Sequence, residues 1–100
     1  MPSAHELQDQ GVKLFEQKDY EAASRVFHQA LDAYEAEGER DMVGEMQTNI
    51  GLVHRALGEQ QQALDIMQQA LNIFTELDDH LRAAMVLGNM GGVYAALGDK

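Results

Sequence analysis

The chain has 100 residues, 45% of them hydrophobic, with one proline at position 2 and no cysteine. Helix formers dominate and β-branched residues are sparse, so an all-α protein of one domain at most is expected, without disulfides or thiolate metal sites. Seventeen acids against seven bases leave a net charge of −10, which disfavours nucleic acid and anionic membranes as partners and favours a basic or apolar protein surface.

Residues 1–16 lack the apolar core of a signal peptide, and no apolar run is long enough to span a bilayer, so the cytoplasm is the expected compartment. Ser3 with Glu6 has the spacing of a capping box and opens a first helix over about 4–17. Asp19 is placed as N-cap of a second helix, about 20–37, whose apolar stripe is Val26, Phe27, Ala30, Leu31 and Tyr34. Gly38 falls in the turn after it. A third helix covers about 41–57 and ends at Gly58, a position where a left-handed residue favours glycine. The fourth, about 60–77, carries the stripe Leu64, Met67, Leu71 and Phe74. Asp78 or Asp79 caps the fifth, about 80–97, which ends at Gly98. The connections are only a few residues long, so neighbouring helices run antiparallel.

The third and fifth helices echo each other. TNIGLVHRALGEQ (48–60) and GNMGGVYAALGDK (88–100) align at a shift of forty, with Asn49, Gly51, Val53, Ala56, Leu57 and Gly58 on Asn89, Gly91, Val93, Ala96, Leu97 and Gly98. One period earlier, Gly11 falls on Gly51, and Ala23, Gln29, Ala30 and Leu31 fall on Ala63, Gln69, Ala70 and Leu71. A fixed period of this size marks a stacked repeat, each copy a pair of helices, with repeats over about 4–40 and 41–80 and half a repeat over 81–100. Gly11, Gly51 and Gly91 are expected to let paired helix backbones approach closely. A larger residue there overpacks the seam at a cost of about 1–3 kcal/mol. Gly88 and Gly92 lie off that line; they either admit a ligand to the fifth helix or belong to a loosely held one.

The spacing of apolar, small, aromatic, alanine, aromatic and alanine positions resembles the tetratricopeptide repeat. In the first copy these are Leu7, Gly11, Leu14, Ala23, Phe27 and Ala30; in the second Gln47, Gly51, His54, Ala63, Met67 and Ala70; in the third Leu87, Gly91 and Tyr94. Two departures stand out. Glu35 and Thr75 occupy the site where the family ordinarily carries a proline, and the period is forty rather than thirty-four, as in the long-repeat branch of the family. The resemblance implies a right-handed superhelix of helix pairs. It also implies a peptide-binding concave face lined by the first helix of each repeat.

Carried onto this chain, that face comprises His5, Gln8, Asp9, Val12 and Phe15; Glu45, Thr48, Asn49, Leu52 and Arg55; and Met85, Gly88, Asn89, Gly92 and Ala95. Asn49 and Asn89 share one repeat position, and an amide there either grips the backbone of an extended ligand or bonds a neighbouring helix or water. The family's clamp for a C-terminal carboxylate requires cations where this chain has Gln8, Met85 and Asn89, and asparagine where it has Val12. Only Asn49 matches, so that role is rejected. Arg55 is the one cation expected in the groove, paired either with an acidic ligand group or with Glu45 or Glu59.

No nucleophile or phosphate-loop motif is present, and His5, His28, His54 and His80 fall off the forty-residue period on different helix faces, so neither catalysis, a cofactor nor a metal is expected. The methionines are read as adaptable core filling. Five helices leave the last one with an open face, expected to carry Met90, Val93, Tyr94 and Leu97. The chain is accordingly read as part of a longer array, or as burying that face against a partner, including a second copy of itself. Two functions are compatible with this reading: a scaffold binding a peptide segment in its groove, and a structural unit that self-assembles through the fifth helix.

Overall fold

The computed structural model describes residues 1–98 and contains five helices: α1 (Ala4–Glu16), α2 (Tyr20–Ala36), α3 (Arg40–Ala56), α4 (Gln60–Glu76) and α5 (His80–Gly98). No strand occurs among the described residues. Gly98, expected as the turn residue closing α5, lies within that helix, and residues 99–100 are outside the described part of the chain.

The turns repeat at half the sequence period. Residues 17–19, 37–39, 57–59 and 77–79 each reverse the chain, with one left-handed residue at the centre: Lys18 (φ 64°), Gly38 (φ 73°), Gly58 (φ 79°) and Asp78 (φ 55°). Around each, two backbone bonds satisfy the last carbonyls of the helix. Asp19 N–H reaches Leu14 O and Lys18 N–H reaches Phe15 O, and the same pair recurs from Glu39 and Gly38, Glu59 and Gly58, and Asp79 and Asp78. This is the Schellman arrangement. It fixes the angle between successive helices, so one geometry propagates along the chain.

The starts of the helices differ. The Ser3–Glu6 capping box forms, with both bonds at 3.1 Å. Asp79 accepts from the Arg82 N–H at 3.1 Å and caps α5. Asp19 is at the N-cap of α2 but its side chain makes no capping bond.

Each helix packs on its neighbours in sequence, and α3 also touches α5. The result is an all-α solenoid of antiparallel pairs, 44 × 33 × 17 Å. The core runs along the seams: Ala23, Phe27, Ala30 and Tyr34 of α2 meet Val43, Met46, Ile50 and Val53 of α3, and Ala63, Met67, Ala70 and Phe74 of α4 meet Val86, Met90 and Val93 of α5. Burial of these side chains, about 1.5–3 kcal/mol for each large one, supplies most of the driving force.

Close approach explains two of the three equivalent glycines. A Cβ on Gly11 would lie 2.6 Å from Phe27 Cε1, and one on Gly51 would lie 2.8 Å from Met67 Cγ. Gly44 is a third such contact that periodicity did not single out, its Cβ position lying 2.7 Å from Phe74 Cζ. Gly91 differs from expectation. It is exposed and a Cβ there would meet nothing within 4 Å. Its repeat mates receive a residue from the next helix, and no described helix comes after α5.

The open face of α5 is also composed differently from the expectation. Met90 and Val93 are the repeat mates of Ile50 and Val53 and, like them, are buried; they turn toward α4 and join the core. Leu97 is half-buried against the same cluster. Of the four residues assigned to that face only Tyr94 is truly open, 59% exposed, and it is joined by Leu87 at 54%. Leu87, Gly91 and Tyr94 are the mates of Leu7, Gly11 and Leu14, which in α1 look toward α2.

Candidate functional site, the concave face

The side of the solenoid formed by α1, α3 and α5 carries the residues assigned to ligand contact, and they fall into two hollows. Between α1 and α3 lies an apolar pocket of about 170 Å³, lined by Val12, Phe15, Phe27, Asn49 and Leu52. Four of these five are the groove residues expected from the sequence. Phe27 comes up from α2 as the floor; its stripe position marks it as core, and the pocket uses its ring from above. Phe15 is held at the rim by an edge-to-face contact with Tyr20, ring centroids 5.4 Å apart, an arrangement that fixes its orientation.

Between α3 and α5 lies a smaller, more polar hollow lined by Glu45, Thr48, Phe74, Arg82, Met85, Val86 and Asn89. Its chief feature is an ion cluster that sequence spacing did not reveal. Arg82 reaches Asp41 (3.2 Å), Glu45 (3.1 Å) and Asp79 (3.5 Å), with its guanidinium carbon 5.8 Å from the Phe74 ring centroid. Asp41 and Glu45 lie four apart on α3 and Asp79 three before Arg82, which puts three carboxylates around one cation. The only signal in the sequence is the concentration of acids near residues 41–45 and 78–79. Arg82 itself falls outside the family's concave positions.

The expectation that Arg55 pairs with Glu45 or Glu59 is corrected. Glu45 is engaged by Arg82, and Glu59 by His54 (Nδ1 to Oε1, 2.9 Å). Among the described residues Arg55 has no ion-pair partner. Its guanidinium lies instead against Gly92: a Cβ built there would be 2.8 Å from Nη1 and 3.1 Å from Cζ. Gly92 is therefore a close-approach glycine whose partner is a side chain of the groove. Gly88 has open space above it.

The remaining groove residues are partly committed. Gln8 accepts a 2.6 Å bond from the Tyr34 hydroxyl, which rises from α2. Burial, followed by the carboxylates of Glu37, Asp9, Glu39 and Asp41, pushes the Tyr34 pKa above its ordinary value, so the phenol stays a donor. Thr48 donates to Gly44 O of its own helix at 2.9 Å. Neither Asn49 nor Asn89 is engaged in a side-chain hydrogen bond among the described residues. Met85 is exposed. Among the described residues no three His, Asp or Glu side chains are placed to share a metal ion, and no helix is long and apolar enough to cross a membrane.

Comparison with curated proteins finds no match. A family model described as tetratricopeptide repeat matches residues 7–76 and, in a second register, residues 42–100. Together the two matches reach from α1 through α5. With the helix pairs, the recurring turns and the small residues at the seams of the first two pairs, they establish that the chain belongs to the tetratricopeptide repeat family.

Proposed function

We propose that the concave face binds an extended or helical segment of a protein partner, with the pocket between α1 and α3 as the anchoring point. Family membership supports a protein-interaction scaffold in general. The reading of this particular face is supported above all by an apolar hollow bordered by Asn49, whose amide is not used within the fold, with the equivalent Asn89 one repeat along. A large apolar side chain of the ligand fills the hollow, and the two amides serve the ligand's backbone N–H and C=O groups, as asparagine can do both.

The test is selection of a random-sequence peptide library displayed on phage against the immobilised protein, followed by calorimetry with synthetic peptides from the enriched set. Leu52→Asp and the double change Asn49→Ala with Asn89→Ala should each weaken binding at least about tenfold, as loss of one or two buried hydrogen bonds or an apolar anchor does. No enrichment, or binding indifferent to these changes, overturns the proposal.

A second reading has its own observation. Residues 83–98 carry no charge in a chain where 24% of residues are charged, and Leu87 and Tyr94 stand exposed on either side of the open Gly91. Helices apolar on all sides are usually buried. We infer that the α5 face takes a helix from a second copy. Light scattering across a concentration series tests this. Leu87→Asp and Tyr94→Asp should return a dimer to monomer without affecting peptide binding, and a monomer at all concentrations refutes it.

A further inference from the structure

The repeat itself supplies a way of asking what the groove selects. The five positions lining the α1–α3 pocket have direct mates forty residues on, between α3 and α5. Val12, Phe15, Phe27, Asn49 and Leu52 become Leu52, Arg55, Met67, Asn89 and Gly92. Three of the five keep their character: an aliphatic wall, a large apolar floor and an asparagine. Two change together. The aromatic rim Phe15 is replaced by Arg55, and the aliphatic Leu52 by Gly92, whose missing side chain gives the Arg55 guanidinium its resting place.

Three further observations make this cation available. Glu59, the acid of the adjoining turn, is taken by His54, and Glu45, about 15 Å back along the same helix, is paired with Arg82. Arg55 itself has no ion-pair partner among the described residues. The asparagine beside it, Asn89, is uncommitted in the same way as Asn49. Of Arg55 and Arg82, the two arginines on this face, only Arg82 is paired with carboxylates among the described residues.

We propose that the second subsite recognises a side-chain carboxylate, so that the groove selects an extended segment with a large apolar residue and, about one repeat away, a glutamate or aspartate. The subsites are one repeat apart, a step somewhat wider than the about 10 Å between directly packed helices, and an extended chain rises about 3.3 Å per residue, which puts the two ligand residues about three to four positions apart. The guanidinium presents a planar fork of donors that matches a carboxylate, and Gly92 holds it back against α5 where the ligand passes. The chain's overall charge of −10 repels an acidic segment at long range. At physiological salt that field is screened beyond about 8 Å, and the direct contact decides.

This inference rests on the groove reading, and the experiment separates the two. Peptides enriched from the phage library are synthesised with amidated C termini, which removes the terminal carboxylate as a source of charge. The enriched set should carry Glu or Asp about three to four residues from a large aliphatic or aromatic residue. Replacing that acid by Gln should weaken binding to the unaltered protein by about fivefold, the scale of a solvent-exposed ion pair, and should change nothing for the Arg55→Gln variant. Arg55→Glu should reverse the preference, binding the Lys-substituted peptide better than the Glu peptide. Gly92→Ala, which retains the charge but displaces the guanidinium, should lose the Glu-over-Gln preference. Circular dichroism verifies that each variant is folded. Enriched peptides that need Leu52 but carry no acid, or that are indifferent to its replacement, overturn this proposal and leave the groove reading standing. No peptide binding at all overturns both.

Discussion

Gly11, Gly51 and Gly91 occupy one position of the repeat, yet alanine should act differently at each. Inside a helix the exchange gains about 1 kcal/mol from propensity alone, and that gain is common to all three. At Gly91 nothing opposes it, because the new methyl meets open space. Gly91→Ala should therefore stabilise by about 1 kcal/mol, raising Tm by about 4–8 °C in a domain of this size. At Gly11 the new Cβ would sit 2.6 and 2.7 Å from two atoms of the Phe27 ring, a rigid group that yields only by tilting as a whole into the pocket above it and out of its packing in the core. Overpacking of about 1–3 kcal/mol exceeds the propensity gain, so Gly11→Ala should destabilise by about 1 kcal/mol. At Gly51 the obstacle is Met67 Cγ at 2.8 Å and Cε at 3.0 Å, on a side chain with several rotatable bonds that adapts to its surroundings. The two effects nearly cancel, and Gly51→Ala should stay close to the unaltered protein. Urea unfolding followed by far-ultraviolet circular dichroism gives the ranking directly. If Gly11→Ala stabilises as much as Gly91→Ala, the seams are not held by close approach at this position and the packing argument fails.

Two more outcomes concern backbone and charge. Lys18 adopts the left-handed conformation that Gly38 and Gly58 adopt at the equivalent turns; Lys18→Gly should stabilise by about 0.5–1 kcal/mol, and a lower urea midpoint would show that the lysine contributes something beyond the turn. The Glu6 carboxyl is held below its usual 4.5, first by the Ser3 backbone N–H and then by the Ser3 hydroxyl. A depressed pKa contributes stability that is present above the unfolded value and lost as pH falls through the folded one. The Tm difference between the unaltered protein and Glu6→Ala should thus be constant above about pH 5 and shrink below about 4.5, and a difference that persists to pH 3 would remove the capping box from the account.

The architecture was legible because repetition makes the same physical demand several times. One capping box or one glycine is weak; Gly11 and Gly51, or Ala23 and Ala63, at matched positions are much stronger, since the same local geometry must be solved at each. Helix ends were accordingly placed to within a residue or so. What the period did not reveal was direction. Met90 and Val93 are expected on the open face of α5, whereas in the fold they and their mates Ile50 and Val53 turn into the core. Gln47 shows the opposite limit. It fills the place of Leu7 and Leu87, its Nε2 bonds Gln69 at 3.4 Å, and its Oε1 is buried without a partner, a local cost that no pattern of apolar spacing registers.

The groove was legible in outline for the same reason, and its chemistry was not. Val12, Phe15, Asn49 and Leu52 could be gathered by repeat position because repeats share a backbone, so equivalent residues stand in equivalent places along the face. Sharing a backbone also means that whatever distinguishes one subsite from the next must reside in side chains that break the period. Phe15 against Arg55, and Leu52 against Gly92, are two such breaks, and they fall at one place. Their coupling is visible only in three dimensions, where the guanidinium of one occupies the space vacated by the other. The Arg82 cluster makes the same point from the other side: Asp41, Glu45 and Asp79 come from separate parts of the chain, and only the fold reveals that they converge on one cation. In an array built by repetition, the shared geometry supplies the platform, and the departures from it carry the selectivity.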